Sequence, residues 1–496
     1  MTEEAAPARA RSIGRSGLVV ASGTLVSRLL GFVNALLLYN TIGTIGEGAD
    51  AFVLANTLPN NIYLILAGGT LTAIIVPAIV RSVADGDGGQ RFLNRLVTLG
   101  ITIFAVVAIA VTVAAPLVVQ LYAQRGSEEG TGFAPGQLEL AITFAYWCLP
   151  QVFFYAVIAI LSEVLNAKGK FWPYAWTPVV NNVVLAAVLI SFRTAFGVIG
   201  EDAPAAAWTP GMTTLLAGGA TLGIVVQATA LVVAFRQAGL RYRPDFHWRD
   251  AGLGRFGRLA AWTFGATLVS QAAGIFESNV LSLATGSASI ATMTLSQAIY
   301  ILPYSIVTIS IAVPYFTRMS GHAQAGDRDA LGADLTSAVS AVLLFQMFFA
   351  VSMTVCAPWI AELFTDDPDG RGALAGVLAA TLVGLVPASV SGVLLRGWYA
   401  LEDTRTPFLL QSTQVLLYVG ALIAIAALRP TVDTIALTAA LSLAAAIAVY
   451  AVLSVLLLRR KVPALRVGRI LGRLGWFAVA ALPAGALGWW LSHVAL

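Results

Sequence analysis

Hydrophobic positions along the chain gather into thirteen long stretches separated by short polar loops. Each reaches the roughly 20 residues that an α-helix needs to cross about 30 Å of hydrocarbon. They fall near residues 16–40, 50–80, 93–123, 138–166, 174–196, 212–236, 257–284, 287–317, 333–363, 373–400, 407–428, 434–458 and 473–495. None shows the strict alternation of a half-buried strand, so the pattern predicts an all-α polytopic membrane protein of about 13 transmembrane helices.

Composition removes the soluble alternatives. Of 496 residues, 58% are hydrophobic and only 11% charged, with a mean hydropathy of +0.83, whereas soluble domains carry about 25% charged residues. Cys148 and Cys356 lie inside apolar stretches, and His247, His322 and His493 are scattered, so neither a disulfide framework nor a metal site is indicated. No phosphate-binding glycine loop or catalytic Ser/His/Asp set is visible, and neither an enzyme nor a nucleic-acid binder is expected.

The net charge of +4 reads as topology. Lys and Arg concentrate in cytoplasmic loops, and with the N-terminus inside, 24 of the 29 fall on the cytoplasmic side. Arg125, Arg193, Arg371 and Arg429 fall outside, and Arg28 alone lies within the bilayer. The expected location is the inner (plasma) membrane, multi-pass, with a cytoplasmic N-terminus.

Internal echoes divide the chain in two. TLVSRLLG from Thr24 returns as TLVSQAAG from Thr267; VPAIVR ending at Arg81 returns as VPYFTR ending at Arg318; and Pro150 is matched by Pro387. Six spans per repeat is an even number, so the halves are parallel. The expected organisation is an N-lobe at 1–238, a basic cytoplasmic linker at 239–256, a C-lobe at 257–460, and a C-terminal loop and helix at 461–496. The linker interleaves Arg241, Arg243 and Arg249 with Tyr242, Phe246 and Trp248, a mixture suited to topology-setting or to docking on anionic lipid headgroups.

Charge inside a bilayer is costly and tends to face a cavity or a partner. Arg28 in the first span and Glu277 at the equivalent point of the seventh are the leading candidates. Amides form a second layer: Asn56, Asn60 and Asn61 flank Pro59, where the second helix is expected to break. Asn181, Asn182, Gln297, Gln411 and Gln414 add polar positions to other spans. Each is an interhelical hydrogen-bonding residue or part of a polar cavity for a large substrate.

Five stretches carry a resemblance: SRLLGF from Ser27, ADAFVLANTLPN from Ala49, LNAKGKFWPYAWTPVVNN from Leu165, LPYSIVTISIAVPYFTRMS from Leu302, and WYALEDTRTP from Trp398. Together they resemble the MurJ/MviN family, within the superfamily that includes MATE exporters. The resemblance implies a V-shaped, MATE-like bundle of two six-helix lobes. It would move lipid II, the undecaprenyl-diphosphate-linked peptidoglycan precursor, from the inner to the outer leaflet by alternating access. Arg28 matches the arginine of the family's SR motif and Asp50 its DAF aspartate, while Glu277 falls near a coupling-ion position. The implied substrate-binding set is Arg28, Asn34, Asp50, Asn60, Asn61 and Gln297. Glu277 would serve coupling to Na+ or H+, and no other cofactor is expected. Candidate partners are membrane lipids and cell-wall synthesis or division proteins. The chain departs from the family at Asn34, at Tyr63 and Leu64, and at Ala298, where relatives carry cationic side chains. Another lipid-linked glycan, a MATE-like substrate, or a non-transporting cell-wall scaffold are the alternative readings.

Overall fold

A computed structural model describes residues 5–67, 90–126, 132–247, 257–428 and 431–495. Apart from an isolated bridge between Arg125 and Phe133, the regular structure of these residues is helical. Eleven helical stretches among them are long and apolar enough to cross a membrane. The expected count of thirteen is therefore not reached by that measure. The second helix, α2 (Glu47–Ala67), opens with two carboxylates, and the remainder of the expected 50–80 stretch lies outside the described residues. The seventh, α9 (Gly257–Leu281), is diluted by Gln271, Glu277 and Asn279.

Two compact units form. The first comprises Met1–Ile42, Ala51–Leu121 and Pro135–Thr267, and the second Gly43–Asp50, Tyr122–Ala134 and Leu268–Leu496. Contiguous lobes do not anticipate the two short segments that join the second unit, and specific bonds hold them there. The buried Asp50 carboxylate accepts the Ala291 N–H at 2.8 Å, Thr292 Oγ1 donates to the Thr44 carbonyl, and the Gln124 N–H donates to Ser282 Oγ.

In the first unit α1 (Ala5–Ile42) packs along α7 (Phe171–Phe196), which packs in turn on α8 (Pro210–Gln237). α1 approaches α7 closely at Gly23, where a Cβ would lie 2.6 Å from the Ala175 carbonyl oxygen. The third span is α3 (Gln90–Val113) followed by α4 (Ala115–Tyr122), and the fourth is α5 (Pro135–Cys148) followed by α6 (Gln151–Ala167). In the second unit, α10 (Ile290–Gln324) and α11 (Arg328–Val355) are followed by the short α12 (Ala357–Glu362). The chain continues through α13 (Pro368–Val383), α14 (Leu385–Ala400), α15 (Arg405–Leu428), α16 (Val432–Lys461) and α17 (Val467–Ala495). A core around Trp398 joins α10, α11, α14 and α16, with the indole N–H donating to Ser454 Oγ at 2.9 Å. Many large apolar side chains, Ile109, Val113, Leu428 and Trp476 among them, stay exposed, as lipid-facing surfaces require.

The repeat extends beyond its sequence echoes. The third span breaks just before Pro116 and the ninth just before Pro358. The fourth breaks at Pro150 and the tenth at Gly384, ahead of Pro387. Proline removes a helix donor and crowds the preceding turn, which leaves carbonyls that hydrocarbon cannot satisfy. Neighbouring helices supply the donors. Thr221 of α8 donates to the Trp147 carbonyl at 2.7 Å and accepts from Gln151. Pro59, in contrast, does not break its helix: α2 runs through it, correcting the expected interruption. Thr57 Oγ1 donates back to the Leu54 carbonyl within that turn.

A π-helical turn at Tyr304–Ile309 interrupts α10. There the fully buried Gln346 of α11 donates to the Pro303 carbonyl and to Thr308 Oγ1, both at 3.0 Å. Replacing Gln346 with leucine removes the donor and leaves a buried carbonyl unpaired, a change that costs about 1–3 kcal/mol. Thermal unfolding of the purified Gln346→Leu protein in detergent should therefore show a lowered midpoint, and an unchanged midpoint would contradict this account of the turn.

Candidate functional site

Ser27 and Asn34 are seven residues apart on α1 and so share one helix face. Both meet Asn182 of α7. Asn182 donates through Nδ2 to the Ser27 carbonyl at 2.9 Å and to its Oγ at 3.1 Å. Asn34 donates to the Asn182 carbonyl and Oδ1 at 3.0 and 3.1 Å. The neighbouring Asn181 packs against Gly223 of α8, where a Cβ would collide with its Oδ1. The two adjacent amides thus serve different neighbours of α7, Asn182 meeting α1 and Asn181 meeting α8. Asn34, expected among substrate-binding residues, is 4% exposed and works as a helix clasp.

Arg28 follows Ser27 and projects about 100° around the helix from the clasped face. It is half-buried, and its guanidinium has neither a carboxylate nor another hydrogen-bond partner among the described residues. Asn60 is exposed on α2 beside Pro59, and Asn61 is half-buried there with a partner of its own. Asp50 departs furthest from expectation. It is 0% exposed and caps the start of α10, where an anion favours the exposed N–H groups of the first turn.

The second unit repeats the clasp with different chemistry. Ser270 of α9 stands where Ser27 stands in α1, and its Oγ accepts from Gln411 of α15 at 3.4 Å. One seven-residue step further, where α1 has Asn34, stands Glu277. Its Oε1 accepts from Gln297 of α10 at 2.8 Å, and the buried Tyr418 hydroxyl of α15 lies beside the same carboxylate. Glu277 and Gln297, named separately from sequence, are therefore brought together. Both line a cavity of about 570 Å³ among α9, α10, α13 and α16, with Thr294, Ala298 and Tyr300 also on its wall. No group of three or more His, Cys, Asp or Glu side chains forms a metal site among the described residues.

One cation has a setting that its place near a loop did not reveal. Arg396 of α14 lies over the Phe316 ring at 5.9 Å and within electrostatic reach of the Tyr304 and Tyr399 hydroxyls. Among the described residues it has no carboxylate partner. Gly392, one turn earlier, makes room for Tyr304, whose hydroxyl a Cβ there would approach to 2.7 Å. Tyr304 stacks on Tyr300 with centroids 6.3 Å apart, joining this cluster to the Glu277 cavity. The i, i+4 spacings of Gly392 with Arg396 and Tyr300 with Tyr304 are the signal available in sequence. Arg318, by contrast, is engaged: its Nη2 meets Asp334 at 2.6 Å.

Helical spans in two units, proline-broken at matching places, with polar clasps within each unit and a lone carboxylate on a cavity wall, define a membrane transporter. Solved structures with this fold bear that out at the level of architecture. One described as "Lipid II flippase MurJ, inward closed conformation" aligns with a TM-score of 0.72 at 19% identity, over 96% of this chain and 97% of that one. An inward-facing multidrug resistance MATE family transporter of the MOP superfamily aligns with a TM-score of 0.69 at 15% identity, covering 90% and 98%. The family model described as "Lipid II flippase MurJ" matches residues 41–496, and the chain belongs to that family. Among similar proteins, the probable lipid II flippase MurJ of Rhizobium meliloti (strain 1021) is 26% identical over 82% of this chain and 74% of its own length. That of Haemophilus influenzae is 27% identical over 77% and 75%.

The clasp reading of Asn34 and Asn182 sets up a double-mutant cycle. Interhelical hydrogen bonds in membranes contribute about 0.6 kcal/mol on average and up to about 1.7. Asn34→Ala and Asn182→Ala should therefore be less than additive in unfolding free energy by an amount in that range. Full additivity would show that the two amides act independently.

Proposed function

We propose that this chain moves lipid II from the cytoplasmic to the outer leaflet of the plasma membrane by alternating access, with its N-terminus and basic linker cytoplasmic. Membership of the lipid II flippase family carries this reading. The charge split of the loops supports the orientation, since 24 Lys and Arg fall on one side against four on the other. A diphosphate leaving water needs cationic or multiple N–H partners to offset its desolvation. Arg28 is suited to that role because nothing in its described surroundings neutralises it. Where relatives place a cation in the eighth span this chain has Ala298, and Arg396 with Tyr304 and Tyr399 supplies cationic and hydroxyl chemistry to the second unit instead.

Glu277 is the proposed coupling group. A carboxylate held by Gln297 and Tyr418, both neutral, has no counter-charge among the described residues, so it recruits Na+ or H+ from outside. A cation bound more tightly in one arrangement of the protein than in the other shifts the balance between them. That unequal affinity is what couples an ion gradient to transport.

Rescue of a bacterium depleted of its own lipid II flippase, scored by lipid II exposed on the outer leaflet, tests the substrate. Growth without lipid II exposure, or no rescue by a correctly inserted protein, would redirect the assignment to another lipid-linked glycan or to a scaffold. Removing a charged hydrogen-bonding partner costs about 1.5–3 kcal/mol, so Arg28→Ala should weaken lipid II binding roughly 10- to 150-fold at normal protein level. Unchanged transport by Arg28→Ala would remove it from the site. Glu277→Gln should retain lipid II binding while its transport ceases to respond to collapse of the ion gradient. A Gln variant with the parent's gradient dependence leaves Glu277 as a structural residue.

A further inference from the structure

The basic linker does not leave α8 freely. Residues 240–247 fold back as a strap along α3, held by side chains that sequence alone does not single out. Gln90 Nε2 donates to the Arg241 carbonyl, and the Arg243 N–H donates to Asn94 Oδ1 at 3.1 Å. Thr98 Oγ1 accepts the Asp245 N–H at 3.0 Å and shares a hydrogen bond with the Tyr242 hydroxyl at 2.9 Å. Arg95 Nε meets Asp245 Oδ2 at 3.1 Å. The His247 backbone N–H and ring, with Arg95 after them, draw the Asp245 carboxyl down to about 2. Its contribution to the docked strap, complete above the ordinary aspartate value near 4, fades only as the pH falls through about 2.

Under the strap lies a cavity of about 500 Å³, within the range of ligand sites. Its wall is apolar, built from Val97 and Ile101 of α3, Val157 and Ile160 of α6, and Val232 and Phe235 of α8. Its rim is cationic. Arg236, at the end of α8, and Arg241 and Arg243 on the strap all line it. The nearest strap carboxylate, Asp245, is already taken by Arg95 and His247. Among the described residues none of the three rim guanidiniums has an acidic or hydrogen-bonding partner.

We infer that this cavity binds one anionic glycerophospholipid, its phosphodiester on Arg236, Arg241 and Arg243 and part of an acyl chain against α3, α6 and α8. The charge pattern selects this occupant. Guanidinium forks match phosphate oxygens bidentately, and a soluble phosphate would leave the apolar wall unused. A zwitterionic lipid would bring its own cation to a rim that lacks anions. Tyr242 sits at the boundary between the two zones, where aromatics are favoured. The site lies in the first unit away from Arg28 and the clasp, and it stands whether or not lipid II is the substrate.

The full-length protein, purified in detergent, can be titrated with phosphatidylglycerol and with phosphatidylcholine and read by native mass spectrometry. Phosphatidylglycerol should bind in preference. Each rim arginine is worth about fivefold, so R241A/R243A should weaken phosphatidylglycerol binding about 25-fold. Both side chains are exposed, and an unchanged thermal midpoint will verify the fold. V232W, which fills the apolar wall, should weaken it as well; should that variant fail to fold, the arginine pair decides alone. Glycerol phosphate in excess should not displace the lipid. Equal binding of the two lipids, full binding by R241A/R243A, or displacement by glycerol phosphate as an adventitious anion would each overturn the inference.

Discussion

Asn182 holds α1 through four hydrogen bonds that cannot be exchanged for water at membrane depth. That exchange keeps most protein hydrogen bonds worth little in solution. In hydrocarbon, a polar group without a partner has nothing to turn to, so each amide, hydroxyl and freed carbonyl within a span constrains which helices can be neighbours. The structure uses this repeatedly. Thr221 answers the carbonyl freed near Pro150, Gln346 answers the one freed at the π-helical turn, and Ser454 answers the Trp398 indole. Hydrophobicity places the helices in the membrane, and these few polar pairs decide how they are matched.

This explains why the two units are alike without being identical. A serine on the first span of each repeat meets an amide on the fifth. Seven residues on, the first repeat has an amide that can close the clasp from its own atoms. The second has a carboxylate that cannot. Tyr418 and Gln297 give Glu277 hydrogen bonds or close dipoles and no charge. The repeat is thereby divided in function: one copy is a fastener, and the other keeps an electrostatic demand open at a cavity wall.

The all-helical, many-spanned class, the match of Pro150 with Pro387 and the pairing of Ser27 with Ser270 were legible because they follow from runs and spacings within the chain. Glu277 was legible as a charge where charge is costly. Partner choice was not. Asn34 and Asn60 look alike as amides in spans, yet one is sealed between α1 and α7 while the other is exposed, since a periodic pattern does not say which neighbour a face meets. Arg396 was obscured by lying near a loop, where arginines are common for topological reasons, and much of its aromatic surroundings comes from α10, a helix distant in sequence. Pro59 looked like a break, and α2 nevertheless absorbs it.

The bond between Asp50 and Ala291 also has a consequence for how the protein is made. Its two ends lie 241 residues apart, and ribosomes add about 5–20 residues per second. The carboxylate therefore enters the membrane system on the order of tens of seconds before the N–H it will cap exists. The Gly43–Asp50 segment, and after it Tyr122–Ala134, must wait for the body of the second unit that follows them in the chain. Biogenesis must shelter a carboxyl side chain while 241 of the 496 residues are made. A gene divided at the linker would place those segments on the wrong polypeptide.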